Sequence, residues 1–185
     1  MSRKRIAVFF ADGFEEVEAI TPVDYLRRSG AEVIIAGVGT LRPKGSRGIE
    51  IAADITADKI SMPLDGVVLP GGMPGAENLS KSADVKRLTV ECMENGRLVG
   101  AICAAPAVAL NSFGIISGRR FTCYPGFENQ VNDAVFSVEK VVTDGNLITA
   151  RGPGAAGFFA VELIRFLYGD SVAGKIADAV LLYIK

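Results

Sequence analysis

The sequence has 185 residues, of which 49% are hydrophobic and 22% charged, a composition typical of a globular protein with a substantial core. Its 20 basic and 21 acidic residues give a net charge of −1 without a long run of either sign, which disfavours a nucleic-acid partner. The apolar run at residues 6–11 is too short for a secretory segment, and nothing approaches the ~20 apolar residues of a membrane span. We therefore expect a cytoplasmic protein that does not enter a membrane.

The chain contains no histidine and only three cysteines, Cys92, Cys103 and Cys123, with no Cys-x-x-Cys pair. The missing imidazole excludes a Cys–His or Ser–His catalytic pair within the chain, and also the zinc sites that need histidine. Three scattered cysteines fit a reducing compartment better than a disulfide framework. We expect no bound metal.

In the first part of the chain, strand-length apolar runs alternate with a segment of helical periodicity. The pattern predicts a buried strand, a helix, a second strand and a half-exposed strand at residues 5–10, 15–28, 32–38 and 48–53. Within the helix, Val17, Ile20 and Val23 recur every three residues, and Gly30 is a stop signal. Pro22 is expected to kink or reset this helix because it has no amide donor.

The alternation continues to the end of the chain. It predicts strands at 65–69 and 97–102, a helix at 84–94, a hairpin of strands 135–142 and 146–150, and helices at 155–168 and 171–182. Such alternation is typical of an α/β fold with a mainly parallel sheet and helices on both faces. There is no linker or repeat, so we expect one domain over residues 1–185.

Cys103 directly follows the predicted strand 97–102, and Pro106 stands where the first turn of a helix would begin. A sharp strand-to-helix turn needs small neighbours, and they are present: Gly100, Ala101, Ala104 and Ala105. This turn would aim the sulfur out of the carboxyl edge of the sheet, at a helix N-terminus that favours thiolate. The alternative is that Cys103 is a small buried apolar residue.

The other two cysteines have weaker claims to a function. Cys92 shares a helical face with Val85 and Leu88, which predicts a core position. Cys123 precedes a turn at the end of a short strand and is interpreted as structural, although such ends also line sites in this architecture.

Two further segments leave strands at the same edge of the sheet. Glu15, Glu16 and Glu18 begin the first predicted helix, where acids complement the helix dipole; Glu15 and Glu18 share a face, whereas Glu16 points elsewhere. Residues 70–75 (PGGMPG) offer backbone amides free of bulky side chains, which indicates either a plain turn or an oxyanion or phosphate cradle. The motif is neither GxGxxG nor a Walker loop, so no nucleotide cofactor is expected.

Four stretches stand in the order and spacing of a known family: 11–19 (ADGFEEVEA), 67–72 (VVLPGG), 101–106 (AICAAP) and 151–154 (RGPG). With them the chain resembles the ThiJ/PfpI superfamily, which has a flavodoxin-like fold, and within it the clade of the parkinsonism-associated protein and its bacterial relatives. The resemblance implies that Cys103 is the nucleophile on a nucleophile elbow and that a protonated Glu18 hydrogen-bonds its sulfur. It also implies that the amides of Gly72 and Ala104 stabilise an oxyanion.

Members of this family usually form homodimers with the site near the interface. Arg28 and Arg47 match arginines that reach toward the neighbouring subunit's site. Ala104 stands where the protease-like branch has histidine, so peptidase and glutaminase activities are disfavoured. Tyr124 stands where some close relatives have histidine, so proton transfer must use Glu18, Tyr124 or water.

The resemblance therefore implies a cofactor-independent enzyme of glyoxalase or deglycase type. Its substrate would be a small aldehyde or dicarbonyl, or a glycated protein, and Cys103 would add to an aldehyde carbon while Glu18 moves the proton. The alternative is a non-enzymatic oxidative-stress sensor or chaperone, in which Cys103 is oxidised to a stabilised sulfinate.

Overall fold

The computed structural model describes residues 3–182. The strands of this range are β1 (Arg5–Phe10), β2 (Glu32–Gly37), β3 (Ile55–Thr56), β4 (Gly66–Leu69), β5 (Leu98–Ile102), β6 (Arg120–Phe121), β7 (Val135–Phe136), β8 (Val141–Asp144) and β9 (Leu147–Ala150). Its helices are α1 (Glu16–Arg28), α2 (Gly75–Lys81), α3 (Ala83–Glu94), a π-helix (Pro106–Leu110), α4 (Ala156–Tyr168) and α5 (Asp170–Ala179), with three-residue or four-residue 3₁₀ turns between them.

Seven strands form one sheet in the order β3-β2-β1-β4-β5-β9-β8. All neighbours in it are parallel except β8 and β9, which form the predicted antiparallel hairpin around Asp144-Gly145. The short strands β6 and β7 pair with each other outside this sheet. The sequence-based prediction of a mainly parallel α/β sheet is confirmed.

Both faces of the sheet are covered, which explains why the hydrophobicity of β1 does not alternate. Ile6, Val8 and Phe10 belong to the core on the side of α1, α4 and α5. Ala7 and Phe9 belong to the core on the side of α2, α3 and the π-helix. Successive side chains of a strand point to opposite faces, and here both faces are apolar.

The prediction of a strand at residues 48–53 is wrong. This segment folds back on its own chain, with one isolated bridge between Lys44 and Glu50 and a backbone bond from the Ile51 amide to the Pro43 carbonyl. It has no neighbour in the sheet. Its alternating pattern reflects a half-exposed excursion of the loop after β2.

The first helix also differs from its prediction. Of the three apolar residues that recur along it, only Val23 is buried, whereas the exposed fractions of Val17 and Ile20 are 50% and 38%. Pro22 lies inside one continuous helix and is itself buried. The buried face is therefore rotated relative to the expected one, because Glu16 and Glu18 turn inward.

Two other elements were missed or divided. Helix α2 has only seven residues and buries only two apolar side chains, Ala76 and Leu79, so its periodicity is too short to detect. The predicted strand 135–142 is two strands, because β7 pairs with β6 and β8 pairs with β9. Val138, between them, is exposed.

The strand order places three loops side by side. Strands β1, β4 and β5 are adjacent and parallel, so the segments after Phe10, Leu69 and Ile102 leave the sheet at one edge. This carboxyl edge is where open α/β sheets bind ligands.

Candidate active site

The backbone at Cys103 is held in a conformation that residues other than glycine rarely adopt. Its φ is 65°, in the left-handed region that favours glycine, directly between β5 and the turn into the π-helix. The Cys103 amide donates to the Ala150 carbonyl at 2.8 Å, and the Cys103 carbonyl accepts from the Tyr124 amide at 2.9 Å. These two bonds fix the strained residue from both sides. Strain of this kind costs on the order of 1–3 kcal/mol and clusters at functional sites.

Two glycines of the loop after β4 allow this approach. A Cβ on Gly71 would lie 2.5 Å from the Cys103 Cβ and 2.6 Å from Glu18 Oε2, so no other residue fits there without movement. The Gly71 amide donates to Glu18 Oε2 at 3.0 Å. Gly72 has a φ of 85°, and a Cβ there would lie 2.5 Å from the Glu15 amide nitrogen. Sequence reasoning identified the amide of Gly72 and missed the bond made by Gly71.

The three acids at the start of the first helix, Glu15, Glu16 and Glu18, have three different environments. Glu15 is the N-cap residue, and its carboxylate accepts from the Glu18 amide at 2.8 Å. Glu16 turns away from the thiol, as expected, and contacts the loop after β2. Glu18 is fully buried beside Cys103.

The environment of Glu18 suits a proton carrier. Burial disfavours its charged form and raises its pKa to about 7. Its Oε2 accepts from Gly71, whereas its Oε1 is buried and has no hydrogen-bond partner among residues 3–182. A carboxyl group whose pKa lies near neutrality can act as a general base or acid at physiological pH.

The thiol does not have the lowered pKa that its place at a helix start predicts. Burial, and then the charge of Glu18, raise the pKa of Cys103, while the amides of Gly72 and Ala104 lower it by a smaller amount. Desolvation therefore outweighs the amides. The two groups are also coupled, because the charge of Glu18 raises the pKa of the thiol and the hydrogen bond to Cys103 lowers the pKa of Glu18.

Cys103 and Glu18 open onto a cavity of about 340 Å³. Its lining includes all of the predicted site residues except Arg28: Glu15, Glu18, Arg47, Gly72, Cys103, Ala104 and Tyr124. It also includes four residues that sequence reasoning did not assign to the site: Ser46, Met73, Phe127 and Pro153. Tyr124 forms part of the wall and is 47% exposed. Pro153 lies in the RGPG stretch and Met73 in the PGGMPG stretch, whereas no sequence signal indicated Ser46 or Phe127.

Arg28 is not part of this cavity. Its guanidinium pairs with Asp24 at 2.9 Å, one turn earlier on the exposed side of α1. Arg47, in contrast, reaches the cavity of its own chain from the loop after β2. A role for Arg28 at a neighbouring subunit stays a prediction.

Cys92 and Cys123 are both fully buried. Cys92 packs with Val85 and Leu88 in the core, as its helical spacing predicts. Cys123 lies in the same core, one residue before Tyr124 of the cavity wall.

No helix within residues 3–182 is long and apolar enough to cross a bilayer.

Comparison with known proteins matches residues 4–166 to the family described as the DJ-1/PfpI family. Parkinson disease protein 7 homolog of Danio rerio is 37% identical over 188 residues, which cover 98% of this chain and 99% of that protein. The glutathione-independent glyoxalase DJR-1.2 of Caenorhabditis elegans is 32% identical over 158 residues, which cover 84% of this chain and 83% of that protein. The chain spans only 41% of Protein DJ-1 homolog B of Arabidopsis thaliana, with 34% identity over 180 residues and 96% of this chain covered.

Solved structures match over the whole fold. The crystal structure of Drosophila melanogaster DJ-1beta has a TM-score of 0.95 at 38% identity, covering 99% of this chain and 100% of that one. A structure described as Toxoplasma gondii DJ-1, oxidized, has a TM-score of 0.94 at 36% identity, covering 97% of this chain and 100% of that one. The flavodoxin-like fold implied by the sequence motifs is confirmed.

Proposed function

The chain belongs to the DJ-1/PfpI family, and we propose that it is a stress-protective enzyme that uses Cys103 and Glu18 to convert reactive dicarbonyls or their early protein adducts. One observation carries this proposal: the Cys103 thiol and a buried carboxyl with a pKa of about 7 open onto the same cavity. A nucleophile beside a general base is the arrangement that addition to a carbonyl requires.

The first step joins the sulfur to an aldehyde. The Cys103 sulfur attacks the aldehyde carbon, a carbon–sulfur bond forms, and the carbonyl double bond becomes a single bond to oxygen. Glu18, whose carboxyl group is hydrogen-bonded to the Cys103 side chain, takes the thiol proton and returns it to the new alkoxide. The product of this step is a hemithioacetal, and no electrons leave or enter the system.

The second step is an internal rearrangement. Glu18 removes the proton from the former aldehyde carbon, which gives an enediolate, and returns it to the adjacent carbon. The hydroxyl proton of the former aldehyde carbon passes to the oxygen of that adjacent carbon, so the hemithioacetal becomes a thioester of a 2-hydroxy acid. Water then cleaves the thioester, releases the hydroxy acid and restores the thiol. The amides of Gly72 and Ala104, which lie at the sulfur, stabilise the negative oxygen during addition and hydrolysis. No cofactor takes part.

The relatives support this class of chemistry. The Caenorhabditis elegans relative is named a glutathione-independent glyoxalase, and it covers most of this chain. A cavity of about 340 Å³ accommodates a small dicarbonyl such as methylglyoxal, and its open side also admits an adduct on a protein side chain. Glu15, Arg47 and Tyr124 line this cavity and would contact such substrates.

A second candidate function is redox sensing, with or without chaperone activity. The amides of Gly72 and Ala104 at the Cys103 sulfur would also bind the oxygens of a sulfinate. The structural neighbour from Toxoplasma gondii is described as oxidized. In this second function, the site would hold Cys103 as a sulfinate instead of converting a substrate.

The site would operate in a cytoplasmic homodimer. Val17 and Ile20 are exposed apolar residues on α1, on the helix that also carries Arg28. Burial of such residues against a second copy would bring Arg28 toward the neighbouring cavity. The three cysteines form no disulfide with one another, an arrangement that suits the cytoplasm.

Steady-state turnover of methylglyoxal by purified protein tests the proposed function. We expect 2-hydroxy acid formation by the wild-type protein, its loss in Cys103→Ser, and its retention in the matched control Cys92→Ala. Equal turnover by Cys103→Ser would refute the assignment of the nucleophile. A wild-type protein that forms a sulfinate but turns over no dicarbonyl would leave the redox function in its place.

A further inference from the structure

Glu16 is a buried carboxylate that the proposed chemistry does not use. It is the first residue of α1 and only 7% exposed. Its Oε1 accepts from the Arg47 amide at 2.7 Å and from the Ile49 amide at 3.4 Å, and its Oε2 accepts from the Ser46 hydroxyl at 3.4 Å. One side chain therefore binds three donors of loop 45–49, about 30 residues further along the chain.

The loop is packed directly against this carboxylate. A Cβ on Gly45 would lie 2.4 Å from Glu16 Oε1 and 2.5 Å from its carboxyl carbon, so glycine is what allows the contact. Just before the helix, the Phe14 carbonyl accepts from the Ser46 amide at 2.7 Å. Hydrogen bonds from amides to a buried carboxylate are among the stronger ones in proteins.

This loop supplies Ser46 and Arg47 to the cavity of Cys103. No carboxylate within residues 3–182 forms an ion pair with Arg47. The backbone of this exposed residue is bonded to Glu16, whereas its side chain has no ion-pair partner in this range. Without a carboxylate partner, its guanidinium is available to an electron-rich oxygen in the cavity.

We infer that Glu16 is a positioning residue whose carboxylate pins loop 45–49, so that the Arg47 guanidinium faces the oxygens or the anionic end of a molecule at Cys103. This inference deepens the proposed function and rests on Cys103 being reachable from the cavity. It does not require turnover. The three acids of α1 then divide three tasks, with Glu15 capping the helix, Glu16 holding the loop and Glu18 carrying the proton.

The test compares two alkylating reagents of similar size, anionic iodoacetate and neutral iodoacetamide, at Cys103. The ratio of their rates measures positive charge in the cavity. Arg47→Ala should lower the iodoacetate-to-iodoacetamide ratio about threefold to tenfold, the size of effect that one nearby cation has in a partly hydrated site. Glu16→Ala, which removes both acceptor oxygens, should lower it by a similar factor, and Glu16→Ala combined with Arg47→Ala should lower it no further than Arg47→Ala alone.

The sign of the effect separates positioning from simple electrostatics. Removing the negative charge of Glu16 without moving Arg47 would favour the anionic reagent and raise the ratio. The proposal requires the ratio to fall. Gly45→Ala, which keeps the charge of Glu16 but displaces its carboxyl group, should also lower the ratio and replaces Glu16→Ala if that variant does not fold.

Glu77→Ala is the matched control, because Glu77 is also an acid in the first turn of a helix but does not line the cavity. It should leave the ratio unchanged. A ratio that is unchanged or raised in Glu16→Ala or in Gly45→Ala, or that falls additively in the double variant, would overturn the inference. A wild-type protein whose Cys103 reacts with neither reagent would instead count against the proposed function.

Discussion

Cys103 and Cys92 are enclosed to nearly the same degree, with exposed fractions of 9% and 0%, but their surroundings differ in kind. Cys92 lies in the regular helix α3 against Val85 and Leu88, and burial raises its pKa to about 11. Cys103 has a left-handed backbone conformation and lies at the edge of a cavity, and burial raises its pKa too. A lowered thiol pKa therefore does not distinguish the proposed nucleophile from the other cysteine.

The difference lies in access and in a proton acceptor. Cys103 opens onto a cavity shared with the buried carboxyl group of Glu18, whereas Cys92 packs with Val85 and Leu88 in a hydrophobic core cluster. A thiol whose pKa is raised can still react if its proton leaves as the new bond forms. Under the proposed function, the reactivity of Cys103 therefore depends on Glu18.

The largest expected effect comes from removing that neighbour's acid–base function. Glu18→Gln keeps the volume of the side chain but cannot exchange a proton, so dicarbonyl turnover should fall by about 10²–10⁴-fold, the usual contribution of general acid–base catalysis. Steady-state kinetics with methylglyoxal measure this. The control Glu77→Gln should retain wild-type turnover, and an unaffected Glu18→Gln would make Tyr124 the candidate base.

The rate of dicarbonyl turnover should also depend on pH. Because the pKa of Glu18 is raised to about 7, its basic form becomes populated as the pH rises through neutrality. Wild-type turnover should therefore increase between about pH 6 and pH 8 and then level off, and the rise should be absent in Glu18→Gln. A profile without a step near pH 7 would separate Glu18 from the rate-limiting proton transfer.

A smaller effect is expected in alkylation of the native protein. Iodoacetamide at neutral pH should label Cys103 at least about 100-fold faster than Cys92, since the buried helix around Cys92 must open first at a cost of about 3 kcal/mol or more. Mass spectrometry of peptides after timed quenching measures both rates, and the denatured protein serves as control because both thiols then react alike. Equal labelling in the folded protein would remove the distinction between the two sites.

The smallest effect concerns oxidation. Mild peroxide should convert Cys103 to the sulfinic acid and largely stop there, because its oxygens would accept hydrogen bonds from Gly72, Ala104 and a protonated Glu18. At roughly 1.5–3 kcal/mol for each charge-assisted bond, the oxidised protein should melt at the same temperature or several degrees higher. Intact mass and thermal unfolding measure both properties.

Glu18→Asp should weaken this stabilisation of the sulfinic acid, because the aspartate side chain is one methylene shorter and holds its carboxyl group further away. Two added oxygens on Cys92 or Cys123 with Cys103 unmodified would contradict the proposed site. Progression of Cys103 to the sulfonic acid in the wild-type protein would do so as well.

Much of the fold could be predicted from local patterns. The apolar runs of β1, β4 and β5 are continuous because these strands are buried on both faces, and Asp144-Gly145 marks the hairpin of β8 and β9. The turn at Cys103 could also be predicted, because a sharp strand-to-helix turn requires small neighbours and Pro106 suits the first turn of the helix. Each of these signals acts between residues close together in the chain.

The chemistry of the site was decided by tertiary structure. The sequence shows that Cys103 and Glu18 follow strands, and its resemblance to a family pairs them, but only the packing of β1, β4 and β5 buries Glu18 and sets its pKa near 7. The same packing raises the pKa of the thiol against the helix-start prediction, because desolvation depends on all the atoms around a group. Loop 45–49, predicted in part as a strand, is held by Glu16 from about 30 residues away. No local pattern encodes such a contact, since it exists only once the chain has folded.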